Sequence, residues 1–320
     1  MSSHEPLRHL ILPGALLPLP DDHPRPPLPA LQHLDALTKR LRPAGRIECD
    51  EQSPSDPAEV AAARALGLPD APGLIPWAAW QTGTEDVPCA WLKPCHWQLG
   101  MDHALLAEPA DLKLNEASSR ALLAAVTPLL SDDGIVVRYV SADAWLATGE
   151  VFRNLRTWSM RRAAGRRLTP DLLPGGSTAS LRRLQNELQM LLYTHPVNDA
   201  REAARLPPIN ALWIEGAGVL DHPPPSRAHV LLEDRLLKTE ENQTGATVAQ
   251  ALRAYHEAWQ TIDADSGARL LSALQAGHDI RLTLCSPQRA LELALPARTF
   301  SSRVSHFFNR RTLADFLCLL

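Results

Sequence analysis

An α/β protein with a mixed or mainly parallel sheet flanked by helices is predicted by two observations. Short apolar runs bounded by turn residues alternate along the chain with stretches whose leucines and alanines recur at helical spacing. A hydrophobic fraction of 45% against 21% charged residues describes a chain that buries a core rather than a disordered one.

Each element has its own local reason. Leu7 to Leu12 is an apolar run stopped by Pro13-Gly14, which predicts a buried first strand. Ala30 to Leu41 carries leucines at helical spacing. Asp56 to Leu66 is alanine-rich, with Asp56 as the expected N-cap and Gly67 as the stop. Pro69 to Gln98 holds Trp77, Trp80, Trp91 and Trp97 among prolines and is expected to be mostly irregular, its indoles pinning it to the sheet or facing a partner. Glu116 to Leu130 predicts a helix and Ile135 to Val140 a strand. Ser180 to Leu192 sets Leu181, Leu184, Leu188, Leu191 and Leu192 on one helical face. Strands are expected at Ile209 to Ile214, Ala228 to Leu232 and Ile280 to Cys285. Helices are expected at Thr247 to Ile262, Ala268 to Gln275 and, as a short covering segment, Arg310 to Leu320.

The 320 residues suffice for one large domain or two ordinary ones. A single α/β domain over 1–320 is the expectation, with the halves 1–150 and 151–320 sharing one sheet. Twenty-eight prolines cluster at 13–29, 54–94 and 207–225 and mark loops and boundaries. The five cysteines, Cys49, Cys89, Cys95, Cys285 and Cys318, show no C-x-x-C spacing, which points to reduced thiols. No apolar run approaches the roughly 20 residues that span a bilayer. The N-terminal residues lack an export pattern, so a cytoplasmic protein with no membrane association is expected. A net charge of −4 argues against a general nucleic-acid binder.

Polar residues are densest from Tyr193 to Gly218. His195-Pro196 interrupts the leucine-rich helix, and Asn198 and Arg201 follow at a spacing of three. A strand from Ile209 then runs into Glu215-Gly216-Ala217-Gly218. Glycines at the carboxyl end of a strand permit close backbone approach, where open α/β sheets place ligands. The ligand-binding candidates are therefore His195, Asn198, Arg201, Asn210, Glu215, Gly216 and Gly218, for a small anion or phosphorylated ligand forked by Arg201. The alternative is a structural turn in which His195 and Asn198 satisfy buried backbone groups.

The stretches HWQLGMDHALLAEPADLKL, RLQNELQMLLYTHPVNDAR and LPPINALWIEGAG resemble the proteobacterial RpfE-type (regulation of pathogenicity factors) family, over nearly the whole chain. His195, Pro196, Asn198, Arg201, Pro208, Asn210, Gly216 and Gly218 also resemble a pattern of archaeal-type cofactor-independent phosphoglycerate mutases, of the alkaline phosphatase superfamily. The second resemblance implies a degenerate alkaline phosphatase-like fold. It also implies two divalent metals held by Asp and His, with a Ser or Thr nucleophile. The implied positions do not carry those residues. Pro13 stands where the first strand should deliver an Asp, Ala58 where a nucleophile is expected (Ser55 with a shifted alignment), and Cys285-Ser286 where Asp-His-Ser should end the last strand. Hard divalent cations need carboxylate oxygens.

No other metal site is predicted from the twelve histidines. Asp21, Asp22 and His23 sit together, Asp102-His103, Asp221-His222 and His278-Asp279 are further adjacent pairs, and neighbours in an extended segment point to opposite sides. Cys95-His96 could contribute to a soft-metal site, but no second Cys/His pair has matching spacing. Walker-A, G-x-G-x-x-G, H-E-x-x-H and G-x-S-x-G patterns are absent. A basic run from Arg153 to Arg183, centred on Arg161, Arg162, Arg166 and Arg167 around Trp158, offers a phosphate-contacting stripe or, alternatively, a solvated helix face.

The reading is a non-catalytic regulatory or binding protein on a phosphomutase-like scaffold, with no catalytic residue, cofactor or metal ligand assigned. The alternatives are a metal-dependent phosphoglycerate mutase or phosphohydrolase, and a protein that binds nucleic acid or an acidic partner through Arg153 to Arg183.

Overall fold

The computed structural model describes residues 6–17, 27–99, 104–168, 179–222, 229–241, 247–296 and 311–320. The strands in chain order begin with β1 (His9–Leu12), β2 (Arg42–Glu48), β3 (Cys89–Cys95), β4 (Trp97–Leu99), β5 (Ala104–Leu106) and β6 (Val136–Ser141). They continue with β7 (Ala144–Thr148), β8 (Arg167–Leu168), β9 (Ala211–Gly218), β10 (Val230–Leu232), β11 (Arg281–Cys285) and β12 (Arg289–Ala294). The mixed α/β class is what the alternation predicts. Against the expectation of one shared sheet, these strands form three sheets, and the chain divides into two compact units. Each of the two larger sheets takes strands from both sides of residue 150.

The first unit comprises 1–52, 56–67 and 225–320. Its sheet has the order β10-β1-β11-β12-β2, with β1 parallel to both β10 and β11 and the remaining pairs antiparallel. β1 is buried along its length, which its uninterrupted apolar run foretells. Leu10, Leu12, Leu282, Leu284, Leu291 and Leu293 face one side, against Leu34, Leu37, Trp259, Ile262, Leu270 and Phe316 of the helices Gln32–Thr38, Val248–Ile262, Ala268–Gln275 and Leu313–Leu317. The helix Pro57–Leu66 contacts all five strands, and its run of alanines permits that close approach. Its ends follow the sequence logic. Asp56 accepts from Glu59 N at 2.9 Å while Glu59 Oε2 accepts from Asp56 N at 3.0 Å, and Gly67 closes the helix in the left-handed region.

Helix Gln32–Thr38 begins after Leu31, which has no side-chain acceptor with which to cap it. Asp263 supplies the cap from elsewhere in the chain: Oδ1 accepts from Leu34 N at 2.7 Å and Oδ2 from His33 N at 3.3 Å. Asp263 can reach them because Asp263–Gly267 forms a π-turn between the helices Val248–Ile262 and Ala268–Gln275. The sequence reading separates those two helices at this point, but they run on without a break.

The second unit comprises 53–55 and 68–224. Its main sheet is antiparallel throughout, in the order β6-β7-β3-β9, and β4, β5 and β8 form a smaller antiparallel sheet. Trp145, Ala90, Leu92, Leu212 and Ile214 pack on Leu122, Val126 and Leu130 of helix Glu116–Asp132 and on Leu181, Leu184, Leu188 and Leu192 of helix Ala179–Tyr193. Burying each such leucine stabilises the unit by about 2 kcal/mol. Trp213, Trp158, Trp97 and Cys95 form a separate core cluster. The segment expected to be irregular is instead ordered: it contains helix Trp77–Thr82 and strands β3 and β4. β3 is held by pairing with β7 on one side and β9 on the other, and Pro94 lies beyond Leu92, where the pairing with β7 stops.

In the first unit His9 is 7% exposed, with Nε2 2.8 Å from Thr283 Oγ1. Burial, with a smaller contribution from the charge of Arg281, pulls its pKa down from 6.5 to about 4. The unfolded chain therefore binds the extra proton between these values, so stability is full above pH 6.5 and falls as the pH drops toward 4. Urea unfolding at pH 7 and pH 4 should differ by a His9 contribution of about 3 kcal/mol, and His9→Gln should remove that part of the pH dependence.

Candidate functional site

The segment from His195 to Gly218 is a knot of main-chain hydrogen bonds. His195 caps helix Pro196–Ala203, its Nδ1 accepting from Val197 N at 3.2 Å. Asn198, 7% exposed, donates from Nδ2 to Leu192 O at 2.8 Å and Ile209 O at 2.9 Å, and its Oδ1 accepts from Ile209 N at 2.8 Å. Arg201, 5% exposed, donates from Nε to Pro207 O at 2.7 Å and from Nη2 to Leu112 O. Asn210 brackets Trp97, accepting from its N at 2.8 Å and donating to its O at 2.9 Å. Nε and Nη2 of Arg201 and the amide of Asn198 are thus directed at main-chain groups, the arrangement that the structural-turn alternative describes. Burial lowers the pKa of the neighbouring His96, and the charge of Arg201 adds to that effect.

Glu215, Gly216 and Gly218 form the carboxyl end of β9, which runs four residues past Ile214 to Gly218. Gly216, with φ +62°, sits where the β3–β9 register slips, and a Cβ there would meet Trp77 Cβ at 2.9 Å. At Gly218 the corresponding contact is Pro76 Cβ at 2.8 Å. The close approach these glycines permit is to helix Trp77–Thr82. Glu215 binds Lys93 Nζ at 2.6 Å and accepts from Met160 N at 2.5 Å.

The carboxyl ends of the parallel strands β1 and β11, where α/β sheets place catalytic groups, are packed shut. Gly14, at φ +70°, turns the chain so that Ala15 N donates to Cys285 O at 2.9 Å. The Tyr255 hydroxyl donates to Ala15 O at 2.6 Å, and a Cβ on Gly14 would meet Leu237 N at 3.1 Å. Pro13 is buried, Ala58 lies inside its helix at 1% exposure and Cys285 is 1% exposed. Ser286 closes the β11–β12 turn, its N donating to Arg289 O at 2.8 Å. In the second unit, Ser55 Oγ accepts from Gly73 N at 3.0 Å. Proline, alanine and a buried thiol thus stand at the positions where the phosphoglycerate mutase resemblance implies metal ligands and a nucleophile, and those groups are not ligands for hard divalent cations. Among the described residues no three His, Cys, Asp or Glu side chains converge to hold a metal ion, and no disulfide links the cysteines. The pairs Asp21-Asp22-His23 and Asp102-His103 lie outside the described residues.

In the basic run, Trp158 is 6% exposed and its carbonyl accepts from Trp213 Nε1 at 2.9 Å, so it is a core residue rather than a stacking platform. Arg162 is buried and donates to Ser53 O at 3.2 Å, while Arg161 and Arg167 are exposed and Arg166 is partly so. Arg153 pairs with Glu150, and Arg183 with Asp133. The loop at Pro174-Gly175-Gly176 lies outside the described residues. Among the described residues no helix is long and apolar enough to cross a membrane.

The sequence reading assigned no role to a cavity of about 670 Å³ in the first unit, at the end of β10 and beside the π-turn. Glu233, Arg235, Asp265, Ser266, Arg269 and Ser272 line it. Glu233 is 7% exposed and accepts from Ser266 Oγ at 2.9 Å, and Arg235 Nη1 lies 3.0 Å from Asp265 and 3.5 Å from Glu233. The available signal was Asp263-Ala264-Asp265-Ser266-Gly267, a cluster of weak helix formers within an otherwise strong helical pattern. π-Turns of this kind recur at functional sites.

Asn198→Ala should cost about 3 kcal/mol in urea unfolding, because it leaves the Ile209 N–H and two buried carbonyls unpaired. A loss under about 1 kcal/mol would show that the knot is not structural.

No protein-family model matches the chain, and no curated protein matches it. Among solved structures it is similar to a protein from Pyrococcus horikoshii, at 12% identity and a TM-score of 0.42, covering 92% of this chain and 89% of that one. It is also similar to a cofactor-independent phosphoglycerate mutase from Thermoplasma acidophilum, at 13% identity and a TM-score of 0.33, covering 90% of this chain and 89% of that one. With both scores below 0.5, neither likeness enters the functional argument.

Proposed function

We propose that this chain is a non-catalytic regulatory or binding protein, in keeping with the RpfE-type resemblance of its sequence. The observation that carries the reading is the closed end of the parallel strands. A phosphomutase needs carboxylates and imidazoles there to hold its metals and a hydroxyl to accept the phosphoryl group. This chain has Pro13, Ala58 and Cys285-Ser286 instead, with the Ala15–Cys285 hydrogen bond joining the strand ends. Opening that seam would break a main-chain hydrogen bond and expose Leu12 and Leu284, both fully buried.

The His195 to Gly218 segment serves this protein as scaffold. Its polar side chains tie the helix Pro196–Ala203 to the Ile209 carbonyl, just ahead of β9, and to the Leu112 carbonyl. A binding role then belongs to another surface, and the open, charged cavity beside β10 is the candidate in the first unit.

Purified protein assayed in manganese with 3-phosphoglycerate and with p-nitrophenyl phosphate should show no turnover above buffer. Turnover that follows the folded protein through gel filtration and is abolished by a chelator would overturn the reading.

A further inference from the structure

We propose that the cavity beside β10 binds a small zwitterion of the α-amino-acid type. The inference rests on the binding-protein reading and adds the ligand class to it.

Arg235 sits between two carboxylates, 3.0 Å from Asp265 and 3.5 Å from Glu233, so that side of the cavity is formally one charge negative. Arg269, on the same wall, brings one positive charge and makes no ion pair among the described residues. A simple anion would meet the two carboxylates, and a simple cation would meet Arg269. A ligand carrying both charges matches both sides: its ammonium faces the exposed Asp265 carboxylate, and its carboxylate takes the guanidinium fork of Arg269.

The cavity is also prepared for such a ligand. Glu233 is held by Ser266 Oγ at 2.9 Å, and its own N donates to Ile11 O at 2.9 Å, so the inner carboxylate is fixed to the sheet. The π-turn that presents Asp265 and Ser266 is itself fixed, because Asp263 caps helix Gln32–Thr38. The backbone that carries Asp265 is therefore fixed before a ligand arrives, which lowers the entropy cost of placing its carboxylate. Leu231, Ala264 and Ala268 add apolar wall, which suits a short aliphatic side chain, and about 670 Å³ accommodates it.

Calorimetric titration of the full chain with each standard L-amino acid tests the proposal. L-Valine is compared with isovalerate, which lacks the ammonium, and isobutylamine, which lacks the carboxylate. Saturable binding of at least one amino acid is expected. Removing either charge from the ligand should weaken it by about tenfold or more, as should Arg269→Gln or Asp265→Asn. Both side chains are exposed, so the variants should unfold at the same urea concentration as the parent protein. No saturable binding by any amino acid, equal binding by the single-charge analogues, or unchanged affinity in both variants would each overturn the proposal. Turnover of phosphate esters would defeat the non-catalytic reading while leaving this result standing. Absence of amino-acid binding would defeat this inference alone.

Discussion

The seam between β1 and β11 closes the carboxyl end of the first unit's parallel strands. Two parallel strands end side by side at Leu12 and Cys285, and the chain leaving β1 must turn at once. Gly14 allows that turn because it can adopt φ +70° without a Cβ striking Leu237. Ala15 N then reaches Cys285 O, and the Tyr255 hydroxyl seals Ala15 O from the helical side. The place where an α/β sheet normally opens to a ligand is filled by its own backbone. Polar chemistry is displaced to the edge strand β10, where the π-turn holds carboxylates, hydroxyls and guanidinium groups around a cavity.

Buried polar residues in this protein mostly serve the main chain. Asn198 ties a helix end to the start of a strand, Asn210 pairs with both main-chain groups of Trp97, and Asp263 caps a helix far away in sequence. Each satisfies backbone groups that would otherwise be buried without partners, at a cost of about 1–3 kcal/mol apiece. Side-chain density in the sequence therefore marks architectural difficulty as readily as it marks chemistry. The glycines of β9 make the same point, since they admit a helix rather than a ligand.

Locally encoded elements were legible in the sequence. Asp56 and Gly67 bound their helix as their chemistry requires, the leucine stripe from Leu181 to Leu192 lies against the core, and the apolar run before Pro13 is a buried interior strand. Elements set by distant pairing were not legible. β2 contains Pro43 and Gly45 and carries no assignment in the sequence analysis, yet as the edge strand of its sheet it tolerates both. β3 was hidden among tryptophans and prolines because its partners, β7 and β9, lie far along the chain. Of the candidate site, the polar cluster at Asn198, Arg201 and Asn210 was visible, and its structural use was one of the two readings open. The cavity was not visible, because Glu233 and Arg235 meet Asp265 and Ser266 only after the sheet forms.

Equilibrium titration of the apo protein with manganese tests the closed strand ends most directly. The account predicts no stoichiometric, saturable binding and no rise in the unfolding temperature as the metal is added. One or two ions bound per chain at micromolar concentration, with a matching stabilisation, would show that a divalent site exists and would contradict it.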